Sequence, residues 1–320
     1  MRIFISILTL LFLFKFNFAI AEVRDFPNKD CDITVGLLRT EKETYDHEWA
    51  SSDKICEMLV SMGAHVILID YNKLFSKAKE EALSEAKDDV IHVEQLESKK
   101  IKEVVKDFIK DSRINRILLP GNYYNLDSDP LPPTPNRQLV TKAIVQIVDE
   151  NPNISLLAIC GGLQGIMHAK GIEIISMKKL HKIQESKKSY HNDRRLNKLK
   201  IAPESRLSSM ISRFAQPDED GWFAIYFPDA HGEMINNSDK NIEKLQSLGY
   251  KVVGLSDDGV IEAIEDKHGN IHFQGHPESL ILRSKRYYSE NYKKREIATL
   301  ITIAIINDFL YRKCETIISS

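Results

Sequence analysis

SLLAICGGLQG, residues 155–165, is the most informative stretch of this sequence. An apolar run of strand length leads directly into Cys160, and two glycines and a helix-like segment follow it. A sharp turn from strand to helix exposes its central side chain above the end of a sheet, and it requires small neighbours because a Cβ there would meet adjacent backbone. The helix N-terminus also favours a thiolate. The pattern predicts a nucleophilic cysteine, with a buried structural cysteine as the alternative.

A histidine and a carboxylate close together in the sequence supply the partners that a cysteine nucleophile needs. They are His276 and Glu278, within the segment FQGHPE at residues 273–278. Pro277 fixes its own φ and so helps to hold the two side chains in a defined relation. Taken alone, a histidine before proline is more often a turn residue. Together with Cys160 it predicts a triad in which the carboxylate orients the imidazole and stabilises its charged form.

A third segment, LLPGN at residues 118–122, ends a buried strand at what we expect to be the same sheet edge as Cys160. Sites in open α/β sheets form at this edge. A backbone amide of Gly121 or Asn122, together with the amide of Gly161, would bind the oxyanion of a tetrahedral intermediate. A simple strand-ending turn is the alternative.

Strand-like and helix-like segments alternate through the first half of the chain. They are Ile33–Leu38, Ser52–Met62, His65–Asp70, Ile101–Lys110, Arg116–Leu119, Gln138–Asp149 and Ile154–Ile159. Short strands follow at Trp222–Phe227, Tyr250–Ser256, Val260–Glu265 and Ile271–Gln274, and a core helix at Asn291–Tyr311. This order predicts an α/β fold, in which helices flank a doubly wound, mostly parallel sheet and the C-terminal third adds a small antiparallel β extension.

Two polar stretches receive no chemical role. Residues 71–100 are rich in Lys, Glu and Ala without a strong apolar stripe, which predicts an insertion or a solvated helical excursion. Residues 178–200 are crowded with basic side chains and predict a solvated loop.

The composition and the N-terminal segment limit the classes of protein to which the chain can belong. The formal net charge is −2 over 320 residues, so the chain lacks the global positive field that favours nucleic acid. Arg2, the apolar run from Ile3 to Phe14, and small residues at Ala19 and Ala21 predict a signal peptide over residues 1–21. A single domain over residues 22–320 would then be secreted or periplasmic, without a stable membrane span. An uncleaved anchor is the weaker alternative, because the apolar run is short.

The cysteine count excludes a disulfide framework. The chain has four cysteines, and Cys160 is reserved for chemistry. Cys31, Cys56 and Cys314 allow at most one bridge among them, and the sequence does not choose the pair. Buried free thiols are slightly favoured over a bridge.

The motifs around Cys160 and His276 together resemble the class I glutamine amidotransferase superfamily, which has a flavodoxin-like fold. Within it, LLPG at 118–121, PESRL at 203–207 and DGVIEA at 258–263 are similar to the γ-glutamyl-γ-aminobutyrate hydrolases. The resemblance implies attack on a γ-glutamyl amide by Cys160, a thioester intermediate and release of glutamate and an amine. It also implies that Gln164 helps to hold the glutamyl group. DAHGE at 229–233 matches the family's substrate-side segment only weakly, through His231 and Glu233, and a surface loop is equally favoured.

Departures from the family pattern leave the substrate open. Ala158 stands where glycine is usual, Gly161 stands where the hydrolases usually have arginine, and the loop after Asn122 is less rich in glycine. Losing the arginine removes a fixed charge that would meet a carboxylate substrate.

No cofactor and no metal are predicted. The histidines at positions 268, 272 and 276 recur every fourth residue, but they lie in a strand-turn-strand pattern and not on one face of a helix.

Three functions compete. The leading hypothesis is an exported γ-glutamyl or related amide hydrolase acting on a small molecule. A glutaminase subunit that feeds ammonia to a synthase is disfavoured by the export signal, because such partners are normally cytoplasmic. A catalytically inactive binding protein is disfavoured by the retained triad residues. The sequence leaves open whether the chain forms a homodimer.

Overall fold

The computed structural model describes residues 31–40, 51–86, 90–131, 135–179, 195–283 and 292–314. The predicted signal peptide lies outside the described residues. The strands are β1 Thr34–Leu38, β2 His65–Ile69, β3 Arg116–Leu119, β4 Ser155–Ala158, β5 Ile174–Ser176, β6 Leu196–Ile201, β7 Phe223–Pro228, β8 Glu233–Ile235, β9 Lys251–Ser256, β10 Ile261–Glu265 and β11 Ile271–Phe273. The helices are α1 Ser52–Ser61, α2 Tyr71–Ala86, α3 Val90–Asp111, α4 Asn136–Glu150, α5 Gly161–Ala169, α6 Arg206–Ile211, α7 Asp239–Ser247, α8 Ser279–Leu282 and α9 Tyr292–Tyr311, and a 3₁₀ turn follows at Arg312–Cys314.

Four parallel strands form a central sheet in the order β2-β1-β3-β4. Successive residues of β3 and β4 point into two separate hydrophobic cores, one on each face. Leu118 and Leu157 enter one core, while Leu119 and Leu156 enter the other. Every residue of β1, β3 and β4 is buried, as expected for a parallel sheet covered on both sides. The predicted α/β fold with a mostly parallel sheet flanked by helices is confirmed.

An antiparallel sheet adjoins the parallel one where β11 lies beside β4. Its five strands lie in the order β11-β10-β9-β6-β7. Ile159 forms an isolated parallel bridge with Phe273, directly after β4 and at the end of β11. Because both segments end at this bridge, the chain that follows β4 and the chain that follows β11 emerge side by side. Two motifs more than a hundred residues apart in sequence therefore meet.

The predictions for the two polar stretches were wrong in part. Helix α2 buries Tyr71, Leu74, Ala78 and Ala82, so it packs on the core and is not a solvated excursion. Alanine contributes little to an apolar pattern, yet its small side chain allows close helix packing. In the other stretch, residues 195–200 include most of β6 and are not a loop, and residues 180–194 lie outside the described residues.

A disulfide joins Cys31, just before β1, to Cys314 after α9. The slight preference for free thiols was therefore wrong for these two cysteines, which are 283 residues apart in sequence. Cys56 on α1 is a half-buried free thiol, and its burial raises its pKa. Of the helices in the described part of the chain, none is long and apolar enough to cross a membrane.

Candidate active site

Cys160 occupies a strained turn between β4 and α5. Its φ of 51° and ψ of −112° lie in a backbone region that residues other than glycine rarely adopt. The Cys160 amide donates a hydrogen bond to the Phe273 carbonyl at 2.7 Å, which fixes the turn to β11. A Cβ built on Gly162 would collide with the Leu119 carbonyl oxygen, so only glycine fits there. These contacts give the turn the geometry of a nucleophile elbow.

His276 and Glu278 lie beside Cys160 on the chain that leaves β11. The His276 amide donates to the Pro228 carbonyl at 2.7 Å, which attaches this segment to the end of β7. His276 Nδ1 lies 2.9 Å from Glu278 Oε1. Both side chains are buried, and the ring also hydrogen-bonds the Cys160 thiol. Since Nδ1 faces the carboxylate, Nε2 is the ring nitrogen available to the thiol.

The surroundings of His276 favour its protonated form. Burial lowers the pKa of His276, but the negative charges of Cys160 and Glu278, and their hydrogen bonds to the ring, outweigh burial. The net result is a pKa well above the usual 6.5. A protonated imidazole between a thiolate and a carboxylate is the charge state that a cysteine hydrolase uses before attack on an amide.

The backbone after β3 borders the nucleophile. A Cβ built on Gly121 would lie 2.9 Å from His276 Cε1 and 3.7 Å from Cys160 Cβ. A Cβ built on Gly161 would lie 2.9 Å from the Asn122 amide nitrogen. The structure therefore brings Gly121, Asn122 and Gly161 together beside Cys160. At Gly161, Asn122 fills the space that any side chain would need.

A chain of polar side chains leads away from the nucleophile. Gln274 Nε2 lies 3.7 Å from Cys160 Sγ, and Gln274 Oε1 accepts a hydrogen bond from Gln164 Nε2 at 3.3 Å. The Gln164 side chain also donates to the Glu233 carbonyl at 2.7 Å. His231 Nδ1 lies 2.8 Å from the same carbonyl oxygen. Gln164 and His231 thus meet at one backbone carbonyl near the site.

The DAHGE segment is not the surface loop that its sequence allowed. Asp229 and Glu233 are fully buried, and the His231 side chain is 1% exposed. Sequence reasoning assigned no role to Gln274 or to the Glu233 carboxylate. A sequence pattern could have indicated them, because each is a polar residue directly beside a strand-like apolar run.

Glu233 holds the loop that follows Asn122. Its carboxylate accepts hydrogen bonds from the amides of Leu126 and Asp127, at 2.7 and 2.9 Å, and from the Ser128 hydroxyl at 2.8 Å. Two backbone amides and a hydroxyl directed at one buried carboxylate are strong interactions. Glu233 therefore positions this loop, although it is not part of the triad.

We expect Glu233→Gln to lower the free energy of unfolding by about 2 kcal/mol, because the amide group would place a donor against the donors of the loop. Urea denaturation measures this change. Glu173→Gln is the matched control, since Glu173 is exposed and its carboxylate accepts a hydrogen bond from the Asn236 side chain. Equal stability of the two variants would contradict the anchoring role of Glu233.

The family model described as "Glutamine amidotransferase class-I" matches residues 44–294, which is most of the chain. The chain belongs to the class-I glutamine amidotransferase family. Members of this family are generally cysteine-based amidohydrolases, and the arrangement of Cys160, His276 and Glu278 is compatible with that chemistry. No curated protein matches this chain significantly.

Solved structures with a similar fold share little sequence with this family member. A glutamine amidotransferase from Thermotoga maritima is 12% identical with a TM-score of 0.46, covering 91% of this chain and 100% of that chain. One from Methylobacillus flagellatus is 10% identical with a TM-score of 0.48, covering 90% and 95%. These values are too low to support any inference about substrate.

Proposed function

We propose that this protein is an exported cysteine hydrolase that cleaves a γ-glutamyl or related amide bond through a thioester intermediate. The observation that carries the proposal is the buried contact of His276 with both Cys160 and Glu278. Membership of the amidotransferase family supports amide chemistry at a cysteine. The γ-glutamyl class rests on the resemblance of the short motifs and on Gln164, which lies close to the nucleophile through Gln274.

The first half of the proposed reaction forms a thioester. The Cys160 thiolate attacks the amide carbonyl, and the carbonyl electrons move to the oxygen. The amides of Gly161 and Asn122, which lie close together beside the thiol, would stabilise that oxyanion. His276 then gives its proton to the leaving nitrogen, the C–N bond breaks, and an amine departs. Glu278 keeps the imidazole oriented throughout.

The second half releases the acid. Neutral His276 takes a proton from water, and the resulting hydroxide attacks the thioester carbonyl. Collapse of this second tetrahedral intermediate breaks the C–S bond, so glutamate leaves and Cys160 returns as thiolate beside protonated His276. At the position usually held by arginine, Gly161 supplies no charge to a leaving amine. We therefore expect amines without a carboxylate to be accepted.

A glutaminase subunit of an amidotransferase is the second candidate, because the family includes that role by its description. Such a subunit would release ammonia from glutamine and would need a partner synthase. A stand-alone hydrolase would act on larger γ-glutamyl amides without a partner.

A panel of γ-glutamyl amides and peptides, with glutamine included, distinguishes these functions when glutamate release is measured with the purified protein. We expect turnover of at least one larger γ-glutamyl amide and no turnover by Cys160→Ala. Turnover of glutamine alone would favour the glutaminase role. A lack of turnover across the panel, in protein whose Cys160 reacts with iodoacetamide, would contradict the γ-glutamyl proposal.

Export is supported by two independent features. The sequence of residues 1–21 has the three parts of a signal peptide in order. The Cys31–Cys314 disulfide is of the kind that persists in oxidising compartments and is rare in the cytosol. Both features favour a secreted or periplasmic protein.

We expect the mature protein to begin at Glu22. N-terminal sequencing of protein recovered from the periplasmic or culture-fluid fraction tests this. Ala21→Lys is the matched variant and should accumulate with an uncleaved N-terminus, because signal peptidases require a small residue before the cleavage point. Wild-type protein recovered from the cytoplasm with Met1 intact would contradict export and would revive the glutaminase role beside a synthase.

A further inference from the structure

Asp229, His231 and Glu262 form a buried cluster of metal-binding side chains apart from the triad. Among the described residues, each of these three offers one ligand atom, and the three atoms lie within 4.8 Å of one another. His231 Nε2 lies 3.2 Å from Asp229 Oδ1 and 4.0 Å from Glu262 Oε1. The side chains are 0–1% exposed. The residues come from three separate places, the end of β7, the loop after it, and β10.

The orientation of the His231 ring is an independent sign of a metal site. Its Nδ1 lies 2.8 Å from the Glu233 carbonyl oxygen, which can only accept a hydrogen bond, so Nδ1 carries the proton. In a neutral ring the lone pair is then on Nε2, the atom that faces the two carboxylates. Histidines that bind metals almost always donate their other ring N–H to a carbonyl or carboxylate in this way.

The distances are close to those of a metal site. Two ligand atoms each about 2.1 Å from a tetrahedral zinc ion lie about 3.4 Å apart. The 3.2 Å between His231 Nε2 and Asp229 Oδ1 agrees with this spacing, and the 4.0 Å between His231 Nε2 and Glu262 Oε1 exceeds it by less than about 1 Å. One imidazole nitrogen and two carboxylate oxygens suit zinc and other divalent transition metals.

We propose that Asp229, His231 and Glu262 bind one divalent transition-metal ion. The ion would hold β7 and β10 together directly behind the catalytic histidine. A Cβ built on Gly275, the residue before His276, would lie 3.6 Å from Glu262 Oε2, and the His276 amide binds the carbonyl of Pro228, next to Asp229. The metal thus acts as a structural support for the segment that carries His276. This inference is independent of the substrate proposed above.

The test uses untagged Cys160→Ala protein, so that the catalytic thiol cannot bind the probe. Metal is removed with a chelator, and Zn²⁺ and Co²⁺ are titrated separately. We expect one Zn²⁺ per chain by calorimetry and elemental analysis, a visible Co²⁺ absorption spectrum, and a higher melting temperature with metal. Asp229→Asn and Glu262→Gln, each in this background, should bind Zn²⁺ at least about tenfold more weakly. His168→Ala, which removes an exposed histidine at the end of α5, should bind as the parent does.

Two results would overturn the proposal. The folded Cys160→Ala parent binding no Zn²⁺ and showing no Co²⁺ spectrum would mean that His231 and Asp229 form only a buried ion pair. Equal Zn²⁺ affinity and Co²⁺ spectra in the parent and in a folded His231→Gln variant would place the metal elsewhere on the chain.

Discussion

Cys160→Ala is expected to lose amide hydrolysis by at least about 10⁴-fold, because the thioester cannot form without the thiol. The variant should remain folded, since alanine is smaller than cysteine and fits in the same space. The measurement is the rate of glutamate release on the best substrate of the γ-glutamyl panel. Mass spectrometry of acid-quenched wild-type protein should in addition show the glutamyl adduct on the peptide that contains Cys160.

Cys56→Ala is the matched control, since Cys56 is the other free thiol in the described part of the chain. It lies on α1, and burial together with the neighbouring acidic residues Asp53 and Glu57 raises its pKa. A thiol with a raised pKa is a poor nucleophile at neutral pH. Cys56→Ala should keep wild-type activity. Loss of activity in this control equal to that of Cys160→Ala would exclude Cys160 as the sole nucleophile.

The core of the candidate site could be predicted because each part of it is a local pattern. The turn at Cys160 needs small neighbours at Gly161 and Gly162, and His276 and Glu278 are two residues apart. Each requirement is satisfied within a few residues, so it is visible in a single sequence. Their meeting depends on the parallel bridge between Ile159 and Phe273, which brings β11 beside β4 and which no local pattern specifies.

The cluster of Asp229, His231 and Glu262 could not be predicted in the same way. Glu262 comes next to the active-site segment because β10 pairs with β11, and the Gln274 amide donates to the Glu262 carbonyl at 2.8 Å. Such cross-strand neighbours depend on the pairing register of the strands. That register is determined by all the strands of the sheet together and not by any short stretch of sequence. The disulfide is a similar case, because no local pattern links Cys31 to Cys314.

The packing of α2 was missed for a different physical reason. Three of its five buried residues are alanines, namely Ala78, Ala82 and Ala86. Each alanine buries little apolar area, so the amphipathic signal is weak although the helix face is well packed. Small side chains let α2 approach its neighbours closely, and this close approach becomes visible only in three dimensions.

His276→Ala and Glu278→Gln should have large but unequal effects. Losing His276 removes the group that protonates the leaving amine, so we expect the rate to fall by about 10⁴-fold or more. Glu278→Gln keeps a hydrogen-bond acceptor near Nδ1 but removes the charge, so we expect a fall of about 10²-fold with activity still measurable. Steady-state rates on one substrate give both values, and far-UV circular dichroism checks folding. Near wild-type rates in both variants would contradict the triad.

The charge state of His276 provides a test of the same arrangement that does not depend on turnover. Cys160 and Glu278 both raise the pKa of His276, and burial lowers it. Removing either negative group should therefore lower that pKa. An NMR titration of the His276 ring in folded Cys160→Ala and Glu278→Gln protein measures the two shifts. An unchanged pKa in Cys160→Ala would mean that the Cys160 thiolate and the protonated His276 imidazole do not form an ion pair before attack.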